Sequence, residues 1–535
     1  MRKIKPAIYL PIAFSMVLIL GLFLGSHMIN SRESGWSLFK TENRTFDRLV
    51  DVLNLIKQDY VDELDAEEIT TITVRNIMNE LDPHSEYIPP QRFNEVSEQL
   101  KGNFEGIGIQ FRMVKDTIVV IQTIAKGPSE KAGIMAGDRI VRVDGKTIAG
   151  KDIPSDSIVS MLKGERNTKV EVSVYRRGMN DLLDFTITRD KIPTYSLDVA
   201  YMTNDNTGYI KLNKFSATTG DEIHNALNNL KRKGLEKLIL DLRGNGGGYL
   251  SESIRVADEF IEDGKLIVYT QGKNRPRKEQ RGTGYGSFHE GELVVIIDEL
   301  SASASEIVAG AVQDNDRGTI IGRRSFGKGL VQEQMKLENG AAIRLTVARY
   351  YTPTGRCIQK SYENGKNEDY YLEILNRYEG GEMNSLDSIH ADSSKVYVTP
   401  GGDTVYGGGG IYPDIFVPME KGLPNELAQN IIRKGLVFRF AFQYADNNRD
   451  YFARFDSAQD FVNNYQINDQ LYKEFKVFAL DHGIKGKSQQ FKEAGTILKT
   501  RMKAFIGRNF FDDKAFYPVI HKIDIEFQEA RKFLN

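Results

Sequence analysis

The sequence predicts a multidomain α/β (α+β) protein with a mixed α/β core, an inserted β domain and helical regions at both ends. Its 535 residues exceed what one hydrophobic core ordinarily serves, which indicates several domains. Short β-like runs separated by turns fill residues 103–190, whereas residues 191–424 alternate buried-strand patterns with amphipathic helical patterns. Helical periodicity dominates residues 36–102 and 425–535.

Charge and cysteine content exclude several classes of protein. The 71 basic and 73 acidic residues nearly balance, which argues against a protein that coats nucleic acid, and we expect no nucleic-acid partner. The single cysteine, Cys357, excludes an internal disulfide bond and a cysteine-rich metal site. A thiol nucleophile stays open for Cys357, although a lone cysteine is more often a small buried apolar side chain.

Residues 1–35 have the pattern of a membrane anchor or a signal peptide. Basic residues near the start precede an uncharged run from Pro6 to Ser31, whose apolar part is long enough to span a bilayer as a helix. The length of the run, and the lack of a small-x-small site before Ser31, favour an anchor over a cleaved signal peptide. Either way we expect the remainder in the cell envelope outside the cytoplasm, attached to the inner membrane or released in the periplasm.

A PDZ-like module is predicted within the β-rich region. The stretch K-G-P-S-E-K-A-G-I-M-A-G-D-R-I-V-R-V-D-G at 126–145 resembles a PDZ domain, and a G-I-G-I loop lies at the expected place before it. That loop consists of Gly106, Ile107, Gly108 and Ile109. In a PDZ domain an extended peptide adds as a strand, and loop N–H groups capture its terminal carboxylate. A plain small sheet domain with glycine turns is the alternative.

Two glycine-rich segments imitate phosphate-binding loops and differ from them in detail. The loop Gly244–Gly248 lacks the third glycine of a dinucleotide fingerprint, because Tyr249 occupies that position. Residues 322–328 fit G-x-x-x-x-G-K, but Gly329 stands where a P-loop needs a magnesium-binding Ser or Thr. The apolar runs that follow predict a β-hairpin across Asn339-Gly340 instead of a helix, so nucleotide binding is the disfavoured alternative.

A serine-rich segment, S-A-S-A-S-E at 301–306, lies between a buried-strand pattern and a helical pattern. Ser303 and Glu306 have the spacing of a capping box, so Ser303 is either a helix cap or a nucleophile at the positive end of the helix dipole. A serine nucleophile needs a base, and a lysine whose pKa is lowered by burial can replace histidine. Lys328, flanked by glycines, is a candidate base, and a solvated loop lysine is the alternative reading.

Seven sequence blocks occur in one order over about residues 40–420. They are L-D-P-H-S (81–85), the PDZ-like segment, D-L-R-G-N-G-G-G (241–248), S-A-S-A-S-E-I (301–307), S-F-G-K-G-L-V-Q (325–332), Y-T-P-T-G-R (351–356) and G-G-I-Y-P-D (409–414). Together they resemble the carboxy-terminal processing peptidases, also called tail-specific proteases.

The resemblance implies a serine endopeptidase with a Ser-Lys dyad. On the family pattern Ser303 is the nucleophile, Lys328 is its general base, and Gln332 orients the lysine. Backbone N–H groups of Gly247 and Ala304 would form the oxyanion hole. No metal or organic cofactor is expected.

The resemblance also implies the substrates. The PDZ-like module would bind accessible C-terminal tails of envelope proteins through Gly106–Ile109 and pass the chain to the core. Asp241 and Arg243 are expected to be structural, and residues 361–408 are expected to form a long surface insertion. The sequence leaves open a homo-oligomer or an adaptor protein, and a PDZ scaffold with a decayed protease fold is the non-enzymatic rival.

Overall fold

The structure, a computed structural model, describes residues 44–535 except 115, 125, 390, 393 and 420–422. The chain divides into a short unit that ends at Ile72 and a large unit from Thr73 to Asn535. The anchor or signal segment predicted at 1–35 lies outside the described residues. Among the residues that the structure describes, no helix is both long enough and apolar enough to cross a membrane.

The region after residue 43 is helical, as its periodicity predicts. Its elements are α1 (Arg44–Asp59), α2 (Ala66–Asn79), the short strand β1 (Glu86–Ile88) and α3 (Pro90–Lys101). Helix α3 begins with Pro90, which is tolerated there because the first turn needs no N–H partner. It ends at Gly102, which adopts a left-handed conformation with φ of 73°.

A six-stranded sheet forms the β-rich region. Its elements are β3 (Ile109–Val114), β4 (Thr117–Thr123), α4 (Pro128–Ala132), β5 (Arg139–Val143), β6 (Lys146–Thr147), α5 (Ser155–Leu162), β7 (Lys169–Tyr175) and β8 (Leu183–Thr188). The order β3-β4-β5-β7-β8, with β6 against β5, leaves β3 at an edge. Two further strands, β2 (Asn103–Gly106) and β9 (Asp190–Pro193), pair antiparallel where the chain enters and leaves the region.

A second six-stranded sheet is the centre of the core. Its strands are β10 (Leu197–Met202), β11 (Thr207–Leu212), β12 (Lys237–Asp241), β15 (Glu292–Ile297), β16 (Thr319–Gly322) and β21 (Ile415–Phe416), in that spatial order. All neighbours from β11 to β21 are parallel, and β10 is antiparallel to β11. One face packs against α6 (Thr219–Lys231), α7 (Leu250–Asp258) and α8 (Ala304–Asp314). Burial on both faces explains why these strands read as continuous apolar runs.

A smaller five-stranded sheet contains β1 and four strands from the core. These four are β13 (Leu266–Gly272), β14 (Arg275–Arg281), β17 (Leu330–Lys336) and β18 (Ala342–Tyr351). Strands β17 and β18 form the hairpin predicted across Asn339-Gly340, and Gly340 takes the positive φ of 83° that the turn uses. A strand therefore follows Lys328, where a P-loop would need a helix.

Most of residues 361–408 are exposed or half-buried, and the surface insertion expected there stays a prediction, although the segment is not a plain loop. It contains α9 (Asn367–Glu379), a 3₁₀ turn (Leu386–Ser388), β19 (Val396–Val398) and β20 (Thr404–Tyr406). Tyr370, Arg377 and Met383 are buried, and Arg377 donates a hydrogen bond to the Ser325 carbonyl at 3.1 Å. Composition did not predict these few buried side chains, because it records how polar a segment is but not which partners satisfy its polar groups.

The C-terminal region is helical, as predicted. Its helices are α10 (Glu426–Arg433), α11 (Leu436–Asn447), α12 (Arg449–Phe452), α13 (Ala458–Asn464), α14 (Asp469–Asp481), α15 (Ser488–Glu493), α16 (Gly495–Ile520) and α17 (Ile525–Leu534). Most of them share a core rich in phenylalanine and tyrosine. The last helix, α17, instead buries Phe527, Ala530 and Leu534 on the second face of the central sheet.

Candidate active site

Three loops meet at the carboxyl edge of the central sheet. They follow the neighbouring parallel strands β12, β15 and β16, and parallel strands bring their following loops to one edge. Ser303 lies at the end of the second loop and Lys328 in the third, and both line a cavity of about 310 Å³. Ala304 and Gln332 line the same cavity, so the structure brings together four of the predicted site residues.

Ser303 has an unusual backbone conformation for a residue with a side chain. Its φ of 56° and ψ of −111° lie in a region that non-glycine residues rarely occupy, and such strain is typical of functional sites. The Ser303 N–H donates to the Glu306 carboxylate at 2.7 Å, but the Ser303 hydroxyl makes no capping hydrogen bond to α8. The hydroxyl is therefore not used as a helix cap.

The carboxylate of Glu306 joins the loop of Ser303 to the loop of Lys328. It is completely buried and accepts hydrogen bonds from the N–H groups of Ser303 at 2.7 Å, Gly327 at 2.7 Å and Lys328 at 2.9 Å, and from the Ser325 hydroxyl at 2.5 Å. Burial raises the pKa of Glu306 to about 7, and these four hydrogen bonds oppose the rise because they favour the ionised form.

The Lys328 ammonium group is held by an oriented amide. Its Nζ donates to Gln332 Oε1 at 3.2 Å, and Gln332 Nε2 donates to the His84 carbonyl at 2.5 Å. Burial first, and then the positive charge of Arg344, lower the pKa of Lys328 to about 8, although nearby carboxylates including Asp82 oppose the fall. A base with this pKa is partly neutral near neutral pH, unlike a solvated loop lysine.

Two tyrosines that the sequence analysis did not single out lie at or near the site. Tyr350 lines the cavity, and Tyr370 contacts His84. The Tyr350 hydroxyl lies 2.6 Å from the Lys328 carbonyl oxygen and 3.1 Å from the Ser303 carbonyl oxygen. The Tyr370 hydroxyl lies 3.1 Å from His84 Nε2. Burial, and then the charge of Lys328, lower the pKa of His84 to about 3, so its imidazole is neutral. The L-D-P-H-S block at 81–85 was the only sequence signal for the contacts around His84.

The two amides predicted to form the oxyanion hole differ in their partners. The N–H of Ala304, at the first position of α8, donates to no acceptor within the described residues. The N–H of Gly247 donates to Asn245 Oδ1 at 2.9 Å. Gly247 still lies against the loop that carries Ser303, since a Cβ atom on Gly247 would lie 2.9 Å from Ser303 Cβ. The role of Gly247 stays a prediction.

Asp241 and Arg243 form a buried ion pair beside the cavity. Arg243 Nη2 lies 2.6 Å from Asp241 Oδ2, and Tyr209 donates to the same oxygen at 2.7 Å. Burial opposes the ionisation of Asp241, but Arg243 and Lys211 hold the pKa of that carboxyl well below its usual range. Neither residue lines the cavity, which agrees with the structural role expected for both.

The predicted peptide-binding loop precedes the edge strand β3. Gly106, Ile107 and Gly108 are buried, and Gly108 has a φ of 74°, which glycine adopts without strain. The N–H groups of Ile107 and Gly108 make no hydrogen bond to any described residue. Within all the residues that the structure describes, no group of three His, Cys, Asp or Glu side chains is arranged to hold a metal ion.

Comparison with known proteins connects this geometry to a family. The sequence profile of Peptidase family S41 matches residues 206–372, a PDZ domain profile matches 106–187, and a family of unknown function matches 427–512. The carboxy-terminal-processing protease of Bartonella bacilliformis is 35% identical over 349 residues, which make up 64% of this chain and 79% of that protein. This chain belongs to the carboxy-terminal processing protease family.

Other proteins are also similar to this chain. The carboxy-terminal processing protease CtpA of Bacillus subtilis is 32% identical over 332 residues, 62% of this chain and 70% of that protein. Among solved structures, a photosystem II D1 C-terminal processing protease is 25% identical, covers 69% of this chain and 86% of its own, and has a TM-score of 0.36. The family resemblance, the mixed α/β fold class and the PDZ domain predicted from the sequence are thus confirmed.

Replacing Glu306 with glutamine should open the loops of the cavity. A carboxamide would turn an N–H₂ group towards donors that now share two carboxylate oxygens, and the lost bonds should cost about 2–4 kcal/mol. Hydrogen exchange at the amides of Ser303 and Lys328 measures this opening. Glu262→Gln, which changes an exposed residue paired only with Lys265, is the control. Equal protection in the two variants would contradict the role of Glu306.

Proposed function

We propose that this protein is a serine endopeptidase of the cell envelope, which binds C-terminal tails through its PDZ domain and cleaves peptide bonds with Ser303 and Lys328. The observation that carries the proposal is the cavity that Ser303 and Lys328 share. The Ser303 hydroxyl makes no capping hydrogen bond, the pKa of Lys328 is lowered, and the buried carboxylate of Glu306 binds the backbone N–H groups of both residues. The uncharged run from Pro6 to Ser31 supports the envelope location, either as an anchor or as a signal peptide.

The chemistry follows general acid–base and nucleophilic catalysis. Neutral Lys328 Nζ takes the proton from Ser303 Oγ while that oxygen attacks the carbonyl carbon of the substrate. The carbonyl oxygen becomes an oxyanion, and the Ala304 N–H is placed to stabilise it. The C–N bond then breaks, the amine leaves with the proton from Lys328, and a water molecule hydrolyses the acyl-enzyme by the same proton route.

Gln332 has an orienting role in this proposal. Because its Nε2 donates to the His84 carbonyl, its Oε1 must face Lys328 Nζ and accept a hydrogen bond from it. The lone pair of neutral Lys328 Nζ can then point towards Ser303. A decayed, non-enzymatic PDZ scaffold is the rival, and the retention of Ser303, Lys328 and Gln332 around one cavity argues against it.

Tail binding rests on the edge strand of the PDZ domain. Among the described strands, β3 pairs with β4 alone, so a peptide can add along its open side with backbone hydrogen bonds. The N–H groups of Ile107 and Gly108, which have no described acceptor, supply donors for a terminal carboxylate. A homo-oligomer and an adaptor protein both stay open as further partners of this chain.

Substituting the proposed nucleophile tests the dyad directly. Ser303→Ala should reduce cleavage of an unfolded protein by at least about 10³-fold, since the proposed acyl-enzyme forms on the Ser303 oxygen. The control is Ser251→Ala, which removes an exposed serine hydroxyl from α7 and should leave cleavage unchanged. Comparable activity in Ser303→Ala and wild type would exclude Ser303 as the nucleophile.

The pH dependence of kcat/KM tests the base. Lysine accepts a proton only when neutral, so activity should fall as the pH drops through the Lys328 pKa of about 8. Arg344 lowers that pKa, so Arg344→Gln should raise it and move the acid limb to higher pH. Arg349→Gln, an exposed arginine on the same strand, is the matched control. A flat acid side, or a limb that Arg344→Gln leaves in place, would count against a lysine base.

Tail recognition predicts that a free carboxylate matters. A peptide with an amidated C-terminus should bind the full chain at least about 10-fold more weakly than the same peptide with a free carboxylate, because charge-assisted hydrogen bonds are lost. Calorimetry with the Ser303→Ala protein measures both affinities without cleavage. Equal affinities would show that the Gly106–Ile109 loop does not capture a chain end.

A further inference from the structure

The end of the chain reaches the candidate active site. Asp524 caps α17 by accepting the Phe527 N–H at 3.0 Å, and Phe527 and Leu534 anchor the helix to the second face of the central sheet. The N-terminal end of α17 therefore lies at the edge of the sheet where the three site loops begin. These residues lie beyond 206–372 and 427–512, the ranges matched in the core and in the C-terminal region.

One carboxylate on α17 contacts two of the three site loops. Glu526 Oε2 lies 3.1 Å from Arg243 Nη1, and Arg243 belongs to the loop that carries Gly247. Glu526 Oε1 lies 2.6 Å from Arg323 Nη1, and Arg323 opens the loop that leads to Lys328.

The loop that leads to Ser303 is connected to these side chains as well. Arg323 Nε donates at 2.8 Å to Glu299, which lies in the loop before Ser303. Asp524 accepts two hydrogen bonds from Arg243, at 3.0 and 2.8 Å. We name this set of five residues the ionic bridge: Glu299, Arg323, Glu526, Arg243 and Asp524.

Because the ionic bridge is largely buried, it restricts the positions of the three site loops. The side chains of Arg323 and Glu299 are only 6% and 7% exposed, and that of Glu526 is 13% exposed. At such burial the loss of Glu526 leaves part of the charge on Arg243 and Arg323 uncompensated, even though Arg243 keeps Asp241 and Asp524 and Arg323 keeps Glu299. The two loops should therefore shift towards solvent or another partner. Glu526 itself does not line the cavity, so its influence must pass through Arg243 and Arg323.

We propose that Glu526 is a positioning residue for catalysis, because its shared contacts with Arg243 and Arg323 hold the oxyanion loop and the lysine loop in register with Ser303. The inference rests on the proposed function and extends it to the last helix of the chain. It makes the C-terminal helix a structural part of the active site, although no catalytic group lies on that helix.

Glu526→Gln tests this role, with Glu529→Gln as the matched control on the same helix. Glu529 is partly exposed and pairs only with Lys532 at 3.2 Å. For a peptide substrate we expect Glu526→Gln to lower kcat by about 10- to 100-fold, as small misplacements of reacting groups do, with KM within about twofold of wild type. Active sites are counted by labelling Ser303 with a serine-directed phosphonate, so kcat refers to folded, reactive enzyme.

The split between kcat and KM separates positioning from mere stability. A residue that only stabilised the fold would lower the melting temperature and the number of labelled sites, but it would leave kcat per labelled site unchanged. Glu526→Asp retains the charge and should recover part of kcat, although its shorter side chain reaches the two arginines less well. If Glu526→Gln does not fold, Glu526→Asp carries the test, and we expect its kcat to lie below that of Glu529→Gln.

Each outcome separates this inference from the proposed function. A kcat per labelled site that is equal in Glu526→Gln and Glu529→Gln overturns the positioning role, and full activity in Glu526→Asp does so if the glutamine variant is unfolded. If Ser303→Ala abolishes cleavage in the same assays, only the positioning role fails. Cleavage that survives in Ser303→Ala overturns the proposed function instead.

Discussion

The buried carboxylate of Glu306 is the interaction on which the candidate site depends. Removing a carboxylate from water costs several kcal/mol, and four short hydrogen bonds offset part of this cost. Three of the donors are backbone N–H groups, so the carboxylate fixes main-chain positions and not only side chains. The strained backbone at Ser303 and the start of the lysine loop are held by the same group, which explains how two segments 25 positions apart keep one geometry.

The central sheet supplies the common edge, and the surrounding elements refine it. Parallel strands deliver the three loops, and the β17–β18 hairpin contributes Gln332 and Tyr350 from a second sheet. Helix α9 covers the lysine loop through Arg377, which donates to backbone carbonyls there. Helix α17 ties the loops together from the opposite face through the ionic bridge. The small cavity is thus supported by residues from position 82 to position 526.

Burial and nearby charges together set the pKa of Lys328. Burial and the charge of Arg344 favour the neutral amine, while Asp82, Glu306 and Glu86 favour the ammonium ion. These opposing groups come from the segment before α3, from α8 and from β18, so no single motif sets the pKa. The balance leaves the lysine able to gain and lose a proton near neutral pH, which a nucleophile–base pair requires.

The sequence by itself determined the fold class, the PDZ domain and the family, because these depend on local periodicity, turn residues and ordered motifs. It also predicted the hairpin after Lys328 and pointed to Ser303, although spacing alone could not separate a helix cap from a nucleophile. Only the tertiary structure decided that the Ser303 hydroxyl makes no capping hydrogen bond, that Tyr350 lines the cavity, and that α9 packs against the core. It also showed that the His84 carbonyl accepts a hydrogen bond from Gln332. The ionic bridge to Glu526 was equally invisible, since it joins residues more than 200 positions apart. Long-range pairing of polar groups is what satisfies them when buried, and composition does not record such pairing.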